Sequence, residues 1–237
     1  MLPGWPLAIA PRIDSGWSRI SEADVRQLAA DLAQAYPEAG RHYWAFRTWG
    51  LLVWQPVYLT MAGVHLAGAV PYQDCIGQRA GDCMVWGSVI ADHTPIAGRN
   101  DRLLQAAASP LRQCLAAVLD TCCSVVELHP KAAGRLVADC VTSATLRIMP
   151  RRPGWCAQTA ADWGECWLHA LGLDGAGGFL KYQDDRGGEH LAMERKVCCL
   201  VYKRRDGELC DTCPRIPLQE RLAQLRRSAS ALDPPRP

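Results

Sequence analysis

The sequence predicts an α+β fold: a mainly helical N-terminal region with short strands, followed by a small C-terminal β-hairpin domain. Three observations predict it. Before residue 172, several stretches carry apolar residues at helical spacing between start and stop signals. After Gly175 the pattern changes to short apolar runs joined by polar, glycine-containing turns. The chain of 237 residues is 49% apolar and 21% charged, a balance that supports a packed core and excludes a disordered chain. The change of character divides the chain into 1–174 and 175–237.

Residues 1–20 are rich in Pro, Gly and Trp and are expected to form an irregular arm. Ser21 to Asp24 spells a capping box, in which the Ser21 hydroxyl accepts from the third helical N–H and Asp24 reaches back. Val25, Leu28, Leu32 and Tyr36 then follow at helical spacing until Pro37 ends the helix. His42 to Trp49 is aromatic and basic. The apolar pieces from 50 to 70 read partly as strand, over Leu51 to Tyr58, and 74–82 reads as a loop before a short strand at Met84 to Ala91. A helix is expected over Asp101 to Ala108. Ser109-Pro110 looks like the cap and first residue of the next helix, which runs to about Val126. Pro130 opens another, with Leu136, Val137, Cys140, Val141 and Ala144 as its apolar stripe. Pro150 to Gly154 links to a helix over Ala157 to Leu171, with Gly172 as its cap.

In the C-terminal part, Gly178 to Gln183 and Glu189 to Arg195 read as one hairpin. Val197 to Lys203 and Glu208 to Cys210 read as a second, turned at Asp206-Gly207. A helix begins near Leu218, with Leu222 and Leu225 inward and Arg221, Arg226 and Arg227 outward. Asp233 to Pro237 is expected to fray.

Composition narrows the function. A net charge of +2 gives no reason to expect a nucleic-acid partner. From Thr48 to Gln73 there is no acid or base, but Gln55, Pro56, His65, Gln73 and several glycines interrupt the run. A buried core segment is therefore expected rather than a membrane span. The 12 cysteines are about 5% of the chain, below the density of disulfide scaffolds. The start has no basic segment and its apolar residues are broken by proline, unlike a signal peptide. A reducing, cytoplasmic setting is expected, with the thiols as core residues or metal ligands.

Four cysteines form a constellation: Cys198-Cys199, ten residues, then Cys210 and Cys213 around Asp211-Thr212. A hairpin between the two pairs would bring four thiolates together, suiting Zn²⁺ or an iron–sulfur cluster. Adjacent residues of a strand point to opposite faces, so a vicinal pair turns toward a single ion only on a distorted backbone. That favours two irons over one zinc without excluding zinc.

The segment Val197-Cys198-Cys199-Leu200-Val201-Tyr202 to Gly207-Glu208-Leu209-Cys210-Asp211-Thr212-Cys213-Pro214 resembles the C-terminal signature of the siderophore-iron reductases of the FhuF type. The match covers about 197–214. The resemblance implies a [2Fe-2S] cluster on Cys198, Cys199, Cys210 and Cys213. It also implies a ferric-chelate oxidoreductase that passes one electron to an Fe(III)-siderophore, of the hydroxamate class, and releases Fe(II). An electron carrier with the same cluster is the alternative, and a zinc-stapled binding module a further one. No phosphate-binding loop or dinucleotide fingerprint is present, so electrons are expected from a partner such as a ferredoxin or flavin reductase. A weak peripheral association with the inner membrane is a further expectation.

Beyond the cysteines, Trp44 and Arg47 are candidate substrate contacts, because flat aromatics cover an apolar siderophore backbone. Lys203 and Arg204 are candidate substrate contacts too; with Lys196, Arg205 and Arg215 they form a candidate cationic rim that would raise the cluster potential and attract an acidic electron donor, competing with a plain solvated face. Cys166 with His169, Cys122-Cys123, and Cys75 with Cys83 are weaker ligand candidates, each expected to be packing residues.

Overall fold

The structure is a computed structural model that describes residues 7–10, 12, 13 and 20–232. It bears out the α+β class, with six α-helices and three small sheets among the described residues. The expected fraying of 233–237 lies outside the described residues.

Helix α1 (Glu22–Ala35) starts at the predicted capping box: Asp24 N–H donates to Ser21 Oγ at 3.3 Å, and Ser21 N–H donates to Asp24 Oδ2 at 2.9 Å. It buries Val25, Leu28 and Leu32 against the next helix. That helix, α2 (Gly40–Ala62), corrects the strand-like reading of 51–58. It is 23 residues long and continues as a π-helical turn, Gly63–Ala67, closed by Gly68 at φ +65°. It is the central element of the fold, packed against α1 and against the later helices α3 and α4. A helix buried on most sides reads as a continuous apolar run and loses its periodic signature.

Pro56 lies inside α2 and cannot donate to the carbonyl four residues back. Gln78 supplies the missing donor: its Nε2 reaches Leu52 O at 3.1 Å. The same Nε2 donates to Gln55 Oε1 at 2.9 Å, and Ser88 Oγ donates to that oxygen at 2.9 Å. Gln78, Gln55 and Ser88 are buried, so the network satisfies groups that would otherwise be costly to hide from water.

Gln78 lies on β3 (Ile76–Gly81), where a loop was expected. β3 pairs antiparallel with β4 (Met84–Ala91) through the two-residue turn Asp82-Cys83, both at positive φ, as this hairpin type requires. β1 (Leu7–Ala10) adds to β4 in parallel, so the expected irregular arm contributes a strand. β2 (Ala69–Val70) pairs with β5 (Ile96–Ala97).

Helix α3 (Asn100–Cys123) is continuous, and Pro110 sits inside it rather than starting a new helix. Its apolar stripe explains this: Leu103, Leu104, Ala107, Ala108, Leu111 and Leu115 are all buried on one face that runs straight past the proline. Helix α4 (Pro130–Ile148) begins at the predicted proline, capped by His129, whose Nδ1 accepts from Lys131 N–H at 3.1 Å. A short 3₁₀ turn, Met149–Arg151, leads toward α5 (Ala157–Ala170), with Gly172 at φ +70° just beyond.

The hairpin of β6 (Gly177–Gln183) and β7 (Glu189–Arg195) forms as predicted and lies on α4 and α5. The approach is close enough to require glycine. A Cβ at Gly164 would stand 2.4 Å from the Phe179 ring, and one at Gly177 would meet Ala138 Cβ at 3.0 Å.

The second predicted hairpin is absent. Residues 200–216 form successive turns: a 3₁₀ turn at Val201–Lys203, a Gly207 N–H to Arg204 O bond at 3.0 Å and a Cys213 N–H to Cys210 O bond at 2.8 Å. Leu200 is left-handed, at φ +62°. Strand alternation cannot turn both vicinal cysteines inward, and the left-handed residue directly after them breaks it. Helix α6 (Leu218–Leu232) follows and buries Leu225. Arg221 is buried too, correcting its expected outward position, and its Nε and Nη1 meet no partner among the described residues.

No helix is long and apolar enough to cross a membrane among the described residues. Instead α2 supplies much of the core, with Trp49, Leu52, Val57 and Met61 buried.

Candidate iron–sulfur site

β7 ends at Arg195, three residues before the first cysteine of the constellation. The chain leaves the strand over α4 and turns back at Leu200. Its geometry sorts the four thiols into two pairs. Cys198 Sγ lies 3.7 Å from Cys213 Sγ. The Cys199 and Cys210 thiols are close enough to shift each other's protonation. Each pair takes one member from the vicinal dipeptide and one from the Cys-x-x-Cys bend. The left-handed turn at Leu200, which costs about 1 kcal/mol for a residue with a Cβ, contributes to this exchange of partners.

Hydrogen-bond donors and a guanidinium reach the sulfurs. Leu200 N–H donates to Cys198 Sγ at 3.5 Å, and the Val201 N–H favours negative charge on Cys199. Arg195 Nη1 donates to Cys210 Sγ at 3.3 Å while its Nε donates to Asp139 Oδ2 at 2.8 Å. Interaction with Cys210, against burial and helped by the Val201 N–H and Arg195, lowers the Cys199 thiol, while the same interaction and burial raise Cys210. Burial pushes Cys198 up to about 11. Burial likewise raises the core thiol Cys122, to about 12.

The donor chemistry fits a two-iron cluster. A [2Fe-2S] centre takes four cysteines, two on each iron, and the site offers two thiol pairs. Among the described residues, no group of three or more His, Cys, Asp or Glu side chains is drawn together around a single metal-ion position. All twelve cysteines are free thiols.

Beside the site runs a groove of about 700 Å³ whose wall includes Cys199 and Arg195. Arg47, a sequence candidate, lines it. Trp44 does not: its Nε1 donates to Tyr36 O at 2.8 Å and its ring packs on the core. Arg204 lies over the Tyr36 ring at 4.1 Å and is paired with Asp206, so it fastens the cysteine segment to the turn ahead of α2. Arg205 N–H adds a bond to Glu38 Oε1 at 2.8 Å in the same place. Lys196 pairs with Glu194 at 2.7 Å, and Arg215 covers Tyr202 at 4.9 Å. Lys203 is exposed. The cationic rim is thus largely engaged in local contacts.

The weaker ligand candidates separate. Cys166 and His169 are exposed, not buried as expected, and His169 pairs with Asp174 at 3.1 Å. Cys122 is buried whereas Cys123 is exposed. Cys75 and Cys83 flank opposite ends of β3.

Sequence reasoning missed Asp139, Arg195 and the wall residues Trp54, Trp86 and Arg147. Asp139 carried a signal: an acid in the apolar stripe of α4, between Val137 and Val141. Burial raises its carboxyl to about 6, against the pull of Arg195.

No solved structure matches the chain. Residues 195–215 match the family model of the FhuF 2Fe-2S C-terminal domain. The match begins at Arg195 and takes in all four cysteines. Geometry and comparison together identify this segment as a FhuF-type 2Fe-2S domain, and the protein's cofactor as a [2Fe-2S] cluster.

Proposed function

We propose that the protein is a ferric-siderophore reductase in which Cys198 and Cys213 bind one iron of the cluster and Cys199 and Cys210 the other. When bound, a [2Fe-2S] cluster passes one electron at a time, enough to convert chelated Fe³⁺ to Fe²⁺, which hard oxygen donors hold far more weakly. The chain's own residues set the conditions. Arg195 and the N–H groups of Leu200 and Val201 stabilise negative charge on sulfur. Cys213 is buried on the side away from solvent. Cys199 stands in the groove wall, where a chelate can come within reach.

The observation that carries the reading is the joining of this thiol set to a groove large enough for a small-molecule chelate. Hydroxamate chelates are the class the family resemblance implies, with a ferredoxin or flavin reductase as electron source and the cytoplasm as the setting. The test mixes dithionite-reduced protein, freed of reductant, with ferric desferrioxamine-type chelates under argon in the presence of an Fe(II) trap. One trapped Fe(II) per cluster reoxidised is expected. Reduced protein that stays reduced with every ferric chelate, but is reoxidised by a protein acceptor, would make it an electron carrier instead.

A further inference from the structure

Resting on the reductase reading, we propose that the groove beside Cys199 is the chelate-binding site and that it selects ferric chelates bearing an anionic arm, a carboxylate above all. Its walls come from α2, β4, α4, the end of β7 and the start of the cysteine segment. Its size, about 700 Å³, lies within the range of sites that enclose small molecules.

The side-chain charges of the groove do not cancel, and their excess is positive, set against the cluster's own negative charge at the Cys199 end. Its acid, Asp139, is committed to Arg195 at 2.8 Å, and both side chains are about 10% exposed. Two further guanidinium groups line the groove, Arg47 from α2 and Arg147 from α4. Neither makes an ion pair with a carboxylate among the described residues. Arg47 instead points Nη2 at Met84 Sδ, 3.8 Å away, a weak acceptor that an incoming carboxylate would displace. A guanidinium fork matches a carboxylate with two parallel hydrogen bonds.

The apolar part of the wall fits the rest of such a ligand. Trp54 meets Tyr58 edge to face at 5.7 Å, giving a fixed aromatic surface. Trp86 is 50% exposed on β4 and lines the same groove. A chelate with an aliphatic backbone would cover these rings. Its anionic arm would meet Arg47 and Arg147, and its metal centre would face Cys199. A cationic arm would be placed between two positive charges.

The test separates binding from electron transfer by using gallium(III), which has the charge of Fe³⁺ but accepts no electron here. Gallium desferrioxamine B, with an ammonium arm, and its N-succinyl derivative, with a carboxylate arm, are titrated calorimetrically into the cluster-loaded protein at low salt. The succinylated complex is expected to bind at least about tenfold more tightly, a difference of about 1.4 kcal/mol. The preference is expected to shrink in 0.5 M salt, where charges are screened within a few ångströms. It is expected to vanish in the Arg47→Gln/Arg147→Gln variant and return in part in Arg47→Lys/Arg147→Lys, which restores the charge but not the fork. Unchanged cluster absorbance and melting temperature establish that these variants are folded. Equal affinity for the two complexes, or a preference that survives the double Gln variant, would overturn the proposal. Ferric chelates reduced without any dependence on Arg47 and Arg147 would overturn it while leaving the reductase reading intact. Gallium complexes bound as expected with no reduction of the ferric forms would support the groove and defeat the reductase.

Discussion

Arg195 and Asp139 form a nearly buried ion pair that ties the cysteine segment to α4: Arg195 Nε donates to Asp139 Oδ2 at 2.8 Å, and the same guanidinium donates through Nη1 to Cys210. Both side chains are about 10% exposed, so each charge depends on the other for its solvation. Removing one partner is therefore expected to cost more than removing both. Arg195→Leu should destabilise the protein by about 3 kcal/mol and Arg195→Leu/Asp139→Leu by clearly less, measured by denaturant titration. Arg195→Gln should also lower the midpoint potential, because a positive charge that favours the reduced cluster is lost. An unchanged potential in redox titration would mean that Arg195 acts on packing alone.

Acid sensitivity is expected from His65. It is buried, its Nε2 accepts from Trp167 Nε1–H at 2.8 Å, and its ring meets Trp155 and Trp163 edge to face. Burial, with Arg152 adding to it, lowers its pKa to about 4. The unfolded chain then binds a proton that the folded chain refuses. The neutral histidine's contribution is fully present above pH 6.5 and is lost as pH falls through that value toward about 4. The loss should reach about 3 kcal/mol. His65→Gln keeps an acceptor for Trp167 and does not titrate, so its melting temperature should fall less over the same interval. Parallel pH profiles for the two proteins would place the acid sensitivity elsewhere.

The hairpin's seat on α5 is expected to reject any side chain at Gly164, where a Cβ would lie 2.4 Å from the Phe179 ring. Gly164→Ala should cost about 1–3 kcal/mol by overpacking. Combining it with Phe179→Leu should recover part of that loss, a coupling that a double-mutant cycle on thermal stability would read. Additive losses would show that the two positions do not compete for the same space.

Gln78→Ala should leave the Leu52 carbonyl, freed by Pro56, without a donor inside the core. A cost of about 1–3 kcal/mol is expected. Because the defect begins with Pro56, Pro56→Ala should reduce the penalty of Gln78→Ala by restoring the N–H that α2 lacks. Equilibrium unfolding of the two single variants and the double variant would reveal the coupling.

Features encoded within a few residues were legible in the sequence. The capping box at Ser21 and Asp24, the hairpin of β6 and β7, and the spacing of the four cysteines all depend on near neighbours. What failed was encoded at a distance. Pro56 fell in a strand-like stretch and Pro110 read as the start of a new helix, yet Gln78 on a strand repairs one helix and an uninterrupted apolar face carries the other. Asp206-Gly207 read as a hairpin turn, but the left-handed Leu200 and the two vicinal cysteines prevent a strand from forming. The groove joins residues from Phe46 to Val201, and Arg195 meets Asp139 across 56 positions of chain. No local pattern could have placed these residues together.

The most direct measurement of the central claim is anaerobic purification followed by iron, sulfide and zinc analysis and absorption spectra before and after dithionite. It is applied to the protein and to single Cys→Ser variants at Cys198, Cys199, Cys210 and Cys213, with Cys123→Ser and Cys166→Ser as controls. The account predicts about two irons and two sulfides per chain, with visible bands that bleach on reduction. These should be lost or altered in each of the four variants and retained in the controls. A colourless protein holding about one zinc per chain after iron–sulfur reconstitution, or a cluster indifferent to those four substitutions, would contradict it.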